Sequence, residues 1–455
     1  MRRSIILLMA IVATCVMPPT GNAVERGFID KFCISAPFDQ LCSQLPYDQA
    51  DFDNSFRYML IEKGAQDPFD VFAWQAFVAL NWPADQNGTP LTMKIGSAVD
   101  APRVWQSYTR RPQLFGPDEA YLACGDNIDH ATLLINDLMQ SDGSVLVDQQ
   151  RNFVVYSTYA NETVTRYIRA NNLQHIKSQT DFTQTSEIAF PQGRLADADS
   201  DTAGSVPSIT MKMAWRIMND ASGSKRGYFT RPGIIYVPAA RSLSGKASCR
   251  KVTLGLVGMH IALKTLSGNG NEWIWATFEH TDNVPVAANA RNVNSLYTDE
   301  LFPDGCLAPK SSTEQSYAFY NPACPNCTTN LQNITDWRWA SSSPFARTTS
   351  GKIAPATQLV RCWDIFTSTQ VVNRLWVHKL QGTVWANYML ISAQWRGADK
   401  TPIFEHGELP RYLTNTSMES FQQTQNDGSC LGCHADAQTV NGKSSNFVFM
   451  LRRAK

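Results

Sequence analysis

Cys430-Leu431-Gly432-Cys433-His434 sets two thiols three positions apart, with an imidazole beside the second. This is C-x-x-C-H, the attachment pattern of a c-type haem. The spacing has a chemical reason. Thiols at that separation reach the two vinyl groups of one porphyrin as thioethers, and the adjoining imidazole lies under the iron as proximal ligand. With eleven Cys and seven His in 455 residues, a chance match is expected on the order of once in a few hundred such chains. A disulfide or zinc pair beside an unrelated histidine is the alternative, but no second Cys/His pair nearby completes a zinc set. Cys430, Cys433 and His434 are therefore the expected cofactor-binding residues for one covalently attached haem c, with His434 on the iron.

The distal side of the iron has several candidates. Residues 435–455 are too few to enclose a haem, so the upstream chain must supply apolar walls. Met450, within Asn446–Leu451, offers a thioether that would raise the reduction potential relative to bis-histidine ligation; its alternative role is core packing in a closing strand. His260 and His280 lie on the two arms of an expected hairpin over Val252–His280. If the arms pair about the centre of Ser267–Asn271, these histidines fall almost opposite each other and share a face. A one-residue slip would separate them. Glu279 completes a His260/Glu279/His280 group, a candidate metal or acid–base site. An open iron that takes a small molecule is the remaining possibility.

The elements that position these residues form an α+β pattern. A helix is expected from Asp67-Pro68, with Asp67 as cap and Pro68 in the first turn. Phe69, Phe72, Ala76, Phe77 and Leu80 recur at helical spacing, and Asn81-Trp82-Pro83 ends the run. Strands are expected over 145–160, Thr210–Ile217 and Ile234–Val237, a helix over Glu162–Asn172, and a long polar loop over 177–205. Asn387–Trp395 reads equally as a strand or a buried helical turn. Thr416-Ser417-Met418-Glu419 has the T-x-x-E form of a capping box, so a short helix carrying Met418 and Phe421 on one face should lead toward Cys430, stopped by Asn426-Asp427-Gly428. The whole is expected to be an antiparallel sheet with flanking helices, plus a short C-terminal helical segment for haem attachment packed on it.

Arg2 and Arg3, the apolar run from Ile5 to Met17 and the small residues Gly21 and Ala23 read as a cleavable export signal. General secretion is preferred over the twin-arginine route, because haem is attached after translocation. Lipidation at Cys15 is the weaker alternative, since Thr14 is bulkier than such a site prefers. No later run is apolar enough to span a bilayer. The expected divisions are a signal peptide over 1–23, a large α+β domain over 24–410, and a haem-binding segment over 411–455, in a periplasmic or secreted protein. Forty basic and forty acidic residues balance, which gives nucleic-acid binding no support. Eight cysteines besides the haem pair read as disulfides, with Cys33 and Cys42 a local pair. Cys324-Pro325-Asn326-Cys327 lacks the histidine of a haem site and sits in a loop, so a structural disulfide is expected there, with redox exchange as the alternative.

Ser429–His434 near the C-terminus, the Phe447/Phe449 ending, Phe72–Gln75, Ala79–Pro83, Gly255–His260 and Trp273–His280 together resemble large bacterial secreted cytochrome-c-like proteins with a single C-terminal haem site. The resemblance extends over most of the chain and implies haem binding and electron transfer. It carries a defined role only to Cys430, Cys433 and His434. The expected function is a mono-haem electron-transfer protein with a redox partner protein. An oxidoreductase, either a small-substrate dehydrogenase or a peroxidase with its substrate site in the large domain, is the alternative. Against the enzyme reading, the chain has no nucleotide-binding glycine fingerprint after a strand and no nucleophile elbow. A binding module in which the twelve tryptophans recognise a polymer or sugar is a third reading, but most of them stand in apolar runs and read as core.

Overall fold

A computed structural model describes residues 41–47, 66–125, 128–193, 205–218, 227–265, 273–291, 305–309, 316–324, 326–395, 413–423 and 429–455. The expected leader over 1–23, Cys33, the Ser267–Asn271 turn and Asn426-Asp427-Gly428 lie outside the described residues, as does the polar, proline-containing stretch Gly397–Arg411 at the expected boundary between the large domain and the C-terminal segment.

An eight-stranded, mostly antiparallel sheet organises the chain, with helices beside it, as the α+β pattern implies. Its strands are β1 (Thr109–Arg110), β2 (Leu133–Ile135), β3 (Val155–Ala160), β4 (Ile209–Met218), β5 (Thr230–Val237), β6 (Ser248–Lys264), β7 (Trp273–His280) and β12 (Tyr388–Gln394). The 17-residue β6 is the spine. One of its edges pairs with β4. The other pairs first with β5 and then with β7, because the strand is long enough to serve both in succession. β12 extends the sheet beyond β7, which decides Asn387–Trp395 in favour of a strand. Short pairs β8 (Val286–Arg291) with β11 (Arg361–Trp363) and β9 (Trp337–Trp339) with β10 (Ala346–Thr348) lie outside it.

Seven α-helices occur among the described residues: α1 (Asp67–Leu80), α2 (Arg111–Phe115), α3 (Glu119–Cys124), α4 (Glu162–Ala170), α5 (Ile176–Thr185), α6 (Thr367–Leu380) and α7 (Cys430–Ala435). α1 is buried nearly all round, as expected of a helix apolar on every side. Trp74 stacks on Trp376 of α6 at 5.9 Å, and Phe77 stacks on Phe278 of β7 at 4.2 Å. Eleven of the twelve tryptophans are buried, so they build core and not a polymer-binding face.

Two local expectations are corrected. Asp67 does not cap α1: the cap position is Gln66, which makes no side-chain cap bond. The Gln66 amide instead donates to Asp70 Oδ1 and the Ala393 carbonyl, both at 2.8 Å, and so ties the helix to β12. Burial pushes the Asp70 carboxyl up to about 7, although Thr369, Gln66 and the Ala393 amide all donate to it. The second correction is α5, which stands inside the stretch read as loop. Its sequence is polar because Gln179, fully buried, holds it by tertiary bonds. Gln179 donates to the carbonyls of Leu173 (2.9 Å) and Leu451 (3.0 Å) and accepts from the Val440 amide (2.9 Å). No apolar stripe was needed, so none was visible.

Disulfides join Cys124 to Cys249, Cys306 to Cys362 and Cys324 to Cys327. The last is the expected C-x-x-C disulfide, in irregular chain. Disulfides of this number accord with an oxidising compartment. No helix among the described residues is long and apolar enough to cross a membrane.

Candidate functional site

The C-terminal segment closes over the sheet face turned away from α1. Leu431, Val448, Met450 and Leu451 share one apolar cluster with Ala262, Trp273 and Trp275 of β6 and β7. Between segment and sheet lies a cavity of about 670 Å³, lined among others by Cys430, Cys433, His434, His260, Glu419 and Lys212. That volume falls within the usual range for cofactor and ligand pockets.

The C-x-x-C-H residues sit on α7, a single short helix. Ser429 caps it, accepting from the Gly432 amide at 2.9 Å, and Gln394 of β12 accepts from the Leu431 amide at 2.6 Å. These bonds use the unpaired amides of the first turn and fix both cysteines on the cavity wall. His434 Nδ1 lies 2.7 Å from the Phe447 carbonyl. A carbonyl only accepts, so Nδ1 carries the proton and the lone pair is on Nε2. Trp275 packs on the ring at 3.9 Å and Phe449 meets it edge-on at 4.8 Å. Burial pushes the His434 imidazole down to about 4, against the raising effect of the Phe447 carbonyl, so it is neutral at ordinary pH.

The Phe447 carbonyl is aimed by an unusual backbone. Asn446 and Phe447 have φ of 51° and 67°, a left-handed region costly for a bulky residue, on the order of 1–3 kcal/mol. Surrounding bonds impose it. Lys264 donates to Asn446 Oδ1 at 2.6 Å, and Trp273 Nε1 donates to the Asn446 carbonyl at 3.0 Å. Met450 follows in a 3-10 turn, Phe449–Arg453, in place of the closing strand expected there. It is buried and lines the same cavity.

A cross-strand row supplies Thr158, Lys212 and His260 to the cavity wall. Thr158 of β3 opposes Lys212 of β4, Lys212 opposes His260 of β6, and His260 opposes Thr277 of β7. Directly opposed residues share a face. His260 Nε2 lies 3.0 and 3.2 Å from the two Glu419 oxygens. Burial raises the Glu419 carboxyl, but His260, Lys212 and the Asn415 amide together outweigh it and hold the group below the usual carboxylate range.

The expected pairing of His260 with His280 is not present. The true register sets His260 against Thr277, three residues short of His280. An odd displacement puts His280 on the opposite face. There it stacks on Tyr228 at 3.9 Å, its Nε2 donates to the Gly227 carbonyl at 2.8 Å, and its Nδ1 accepts from the Asp282 amide at 3.1 Å. Both ring nitrogens are used, so His280 is a structural histidine. Glu279 pairs with Arg361 at 2.8 Å. The His260/Glu279/His280 group is therefore three separate arrangements. Among the described residues, no group of three or more His, Cys, Asp or Glu is placed to hold a metal ion directly. A porphyrin, which brings four ligands of its own, asks the protein only for axial ones.

Glu419 was legible only as part of a capping box, and that box is not formed as expected. Residues 416–421 make turns instead of a helix. The Thr416 amide and hydroxyl donate to buried Glu279, both at 2.6 Å, while Glu419 accepts from the Asn415 amide at 3.1 Å and reaches His260. Tertiary partners outcompete the local cap. Lys212 was missed; its one signal is a lysine inside the otherwise apolar run Met211–Trp215. Gly258 lets this turn approach β6: a Cβ there would run into Ser417 Oγ and stand 3.0 Å from Asn415 Oδ1. Gly258→Ala should therefore cost about 1–3 kcal/mol, read as a lower urea midpoint, and should speed hydrogen exchange at the Met418 and Glu419 amides. No family model matches this chain, and neither does any curated protein or solved structure.

Proposed function

We propose that this chain is a mono-haem c-type electron-transfer protein, with haem joined to Cys430 and Cys433 and His434 as proximal ligand, acting in the periplasm or outside the cell with a redox partner protein. The supporting observation is His434 itself: beside two cavity-lining thiols, it has one ring nitrogen tied to a backbone carbonyl and a lone pair left on the other. Second-partner hydrogen bonds of this kind orient metal-bound histidines and raise their basicity. Bound haem would supply a one-electron ferrous/ferric couple, its potential tuned by ligand, burial and hydrogen bonds. Trp275 and Phe449 hold the imidazole in place and exclude water from it. Arg452 and Arg453 line the cavity and offer positive charge for the propionate carboxylates.

The test is a reduced-minus-oxidised visible spectrum of protein made alongside the haem-attachment machinery, followed by acid–acetone extraction. A c-type spectrum whose pigment stays with the protein is the expected result. Colourless protein, or pigment that leaves with the solvent, would refute the proposal.

A further inference from the structure

The three disulfides differ in how much of the fold they have to hold. The stabilisation that a cross-link brings grows with the length of chain it closes. The sequence separation is 125 for Cys124–Cys249, 56 for Cys306–Cys362 and 3 for Cys324–Cys327. The first joins the end of α3 to β6, and the second includes the fully buried Cys362. Both lock parts of the chain that are far apart in sequence. Cys324–Cys327 closes a ring within four consecutive residues.

Even that ring is not needed to hold its own stretch of chain. Residues 322–329 leave the buried chain at Asn321 and return at Asn330, and both ends are fastened to Gln358. The Asn321 amide donates to Gln358 Oε1 at 2.8 Å, and Gln358 Nε2 donates to the Asn321 carbonyl at 3.2 Å. The Asn330 amide donates to the Gln358 carbonyl at 2.8 Å, while Asn330 Oδ1 accepts from the Val360 amide at 2.9 Å. Within the excursion, the Cys324 amide donates to the Asn321 carbonyl at 3.0 Å and the Cys327 amide to the Cys324 carbonyl at 3.1 Å. These turn bonds keep the two cysteines close without help from the S–S bond. Both cysteines are half-buried, with Asn326 and Thr328 exposed on either side of Cys327, so an incoming thiol meets the bridge at the surface.

Accessible disulfides that carry little of a fold are the exchangeable ones, and a C-x-x-C pair supplies thiols more acidic than an isolated cysteine. We propose that Cys324–Cys327 is a thiol–disulfide exchange site that oxidises a dithiol of a peptide or protein. A thiolate of the substrate attacks one sulfur of the pair, the Cys324–Cys327 bond breaks, and a mixed disulfide forms. The second substrate thiol, as thiolate, attacks that mixed disulfide and frees the pair. The substrate gains an S–S bond and gives up two electrons and two protons, which end on Cys324 and Cys327 as two thiols. A disulfide oxidant such as oxidised glutathione restores the pair by the reverse exchange. This chemistry uses no haem, so the inference stands apart from the haem assignment.

The test uses the full chain, first treated with iodoacetamide to block every free thiol and then mixed with an excess of a reduced synthetic peptide that carries C-x-x-C. Peptide disulfide should appear in an amount equal to the protein dithiol formed. A second alkylation, read by mass spectrometry, should place the new thiols at Cys324 and Cys327, with Cys124–Cys249 and Cys306–Cys362 opening about a hundredfold more slowly. The opened protein should keep its urea midpoint, and oxidised glutathione added in place of the second alkylation should close the pair again. Cys324→Ser with Cys327→Ser should leave the peptide reduced. A peptide that stays reduced with the wild-type chain, three bridges that open at one rate, or a urea midpoint that drops when Cys324–Cys327 opens would make this disulfide a structural one and overturn the inference. Because free thiols are blocked at the start, none of these outcomes depends on whether the protein carries haem.

Discussion

Replacing Cys430 and Cys433 together by alanine is expected to abolish covalent pigment. The two thiols are the only anchors that C-x-x-C-H provides, and both lie on the cavity wall beside His434. Without them, any haem that enters the cavity is held by His434, apolar contact and charge alone, and acid–acetone should extract all of it. Each single substitution leaves one thioether and should keep part of the pigment on the protein, with an altered spectrum. The control is Cys324→Ser with Cys327→Ser. That pair has the same spacing, but it forms a disulfide and lacks the following histidine, so its loss should leave the pigment untouched. Haem staining of a denaturing gel, with extraction of the same samples, measures all of these. Pigment that survives the Cys430/Cys433 double substitution, or disappears with the Cys324/Cys327 one, would place the attachment site elsewhere.

Arg361→Ala is expected to destabilise the fold by about 3–5 kcal/mol, the usual cost of stranding one member of a buried ion pair. Arg361 is 1% exposed and Glu279 is fully buried. The guanidinium donates to Glu279 at 2.8 and 3.4 Å, and the only other donors to that carboxylate among the described residues are the amide and hydroxyl of Thr416. Removing the arginine leaves a negative charge in the interior with half its partners. Urea unfolding should show a much lower midpoint at unchanged slope. Combining Glu279→Gln with Arg361→Met removes both charges while the glutamine still accepts from Thr416, and should recover a substantial part of the loss. A change under about 1 kcal/mol for Arg361→Ala, the range of exposed pairs, would mean that Glu279 is not buried as described. The effect also reaches the cavity. Glu279 anchors the turn that carries Glu419, so Arg361→Ala should speed hydrogen exchange at the Thr416 and Glu419 amides beyond what global destabilisation accounts for.

The α+β class, α1 and the strands β4, β5, β6 and β7 were legible in the sequence, because each rests on local signals: an apolar run, a period of 3.6 or 2, and turn residues between. The C-x-x-C-H motif at Cys430, Cys433 and His434 was legible for the same kind of reason, since it is a pattern of five consecutive residues. The partners of those residues were not. Pairing register across a long hairpin is set by neighbours outside it, here β4 and β12, and a displacement of three residues was enough to send His280 to the far face. α5 escaped because it is held by Gln179 and the C-terminal chain. Glu419 looked like a local cap, and the buried Glu279 drew its Thr416 elsewhere. The sequence by itself determined that two thiols and an imidazole stand together at Cys430, Cys433 and His434, because bonded neighbours carry that spacing. Only the tertiary structure decided what faces them, the row of Lys212 and His260 with Glu419 above it, because that wall is assembled from separate strands and a turn whose placement depends on packing and buried charge.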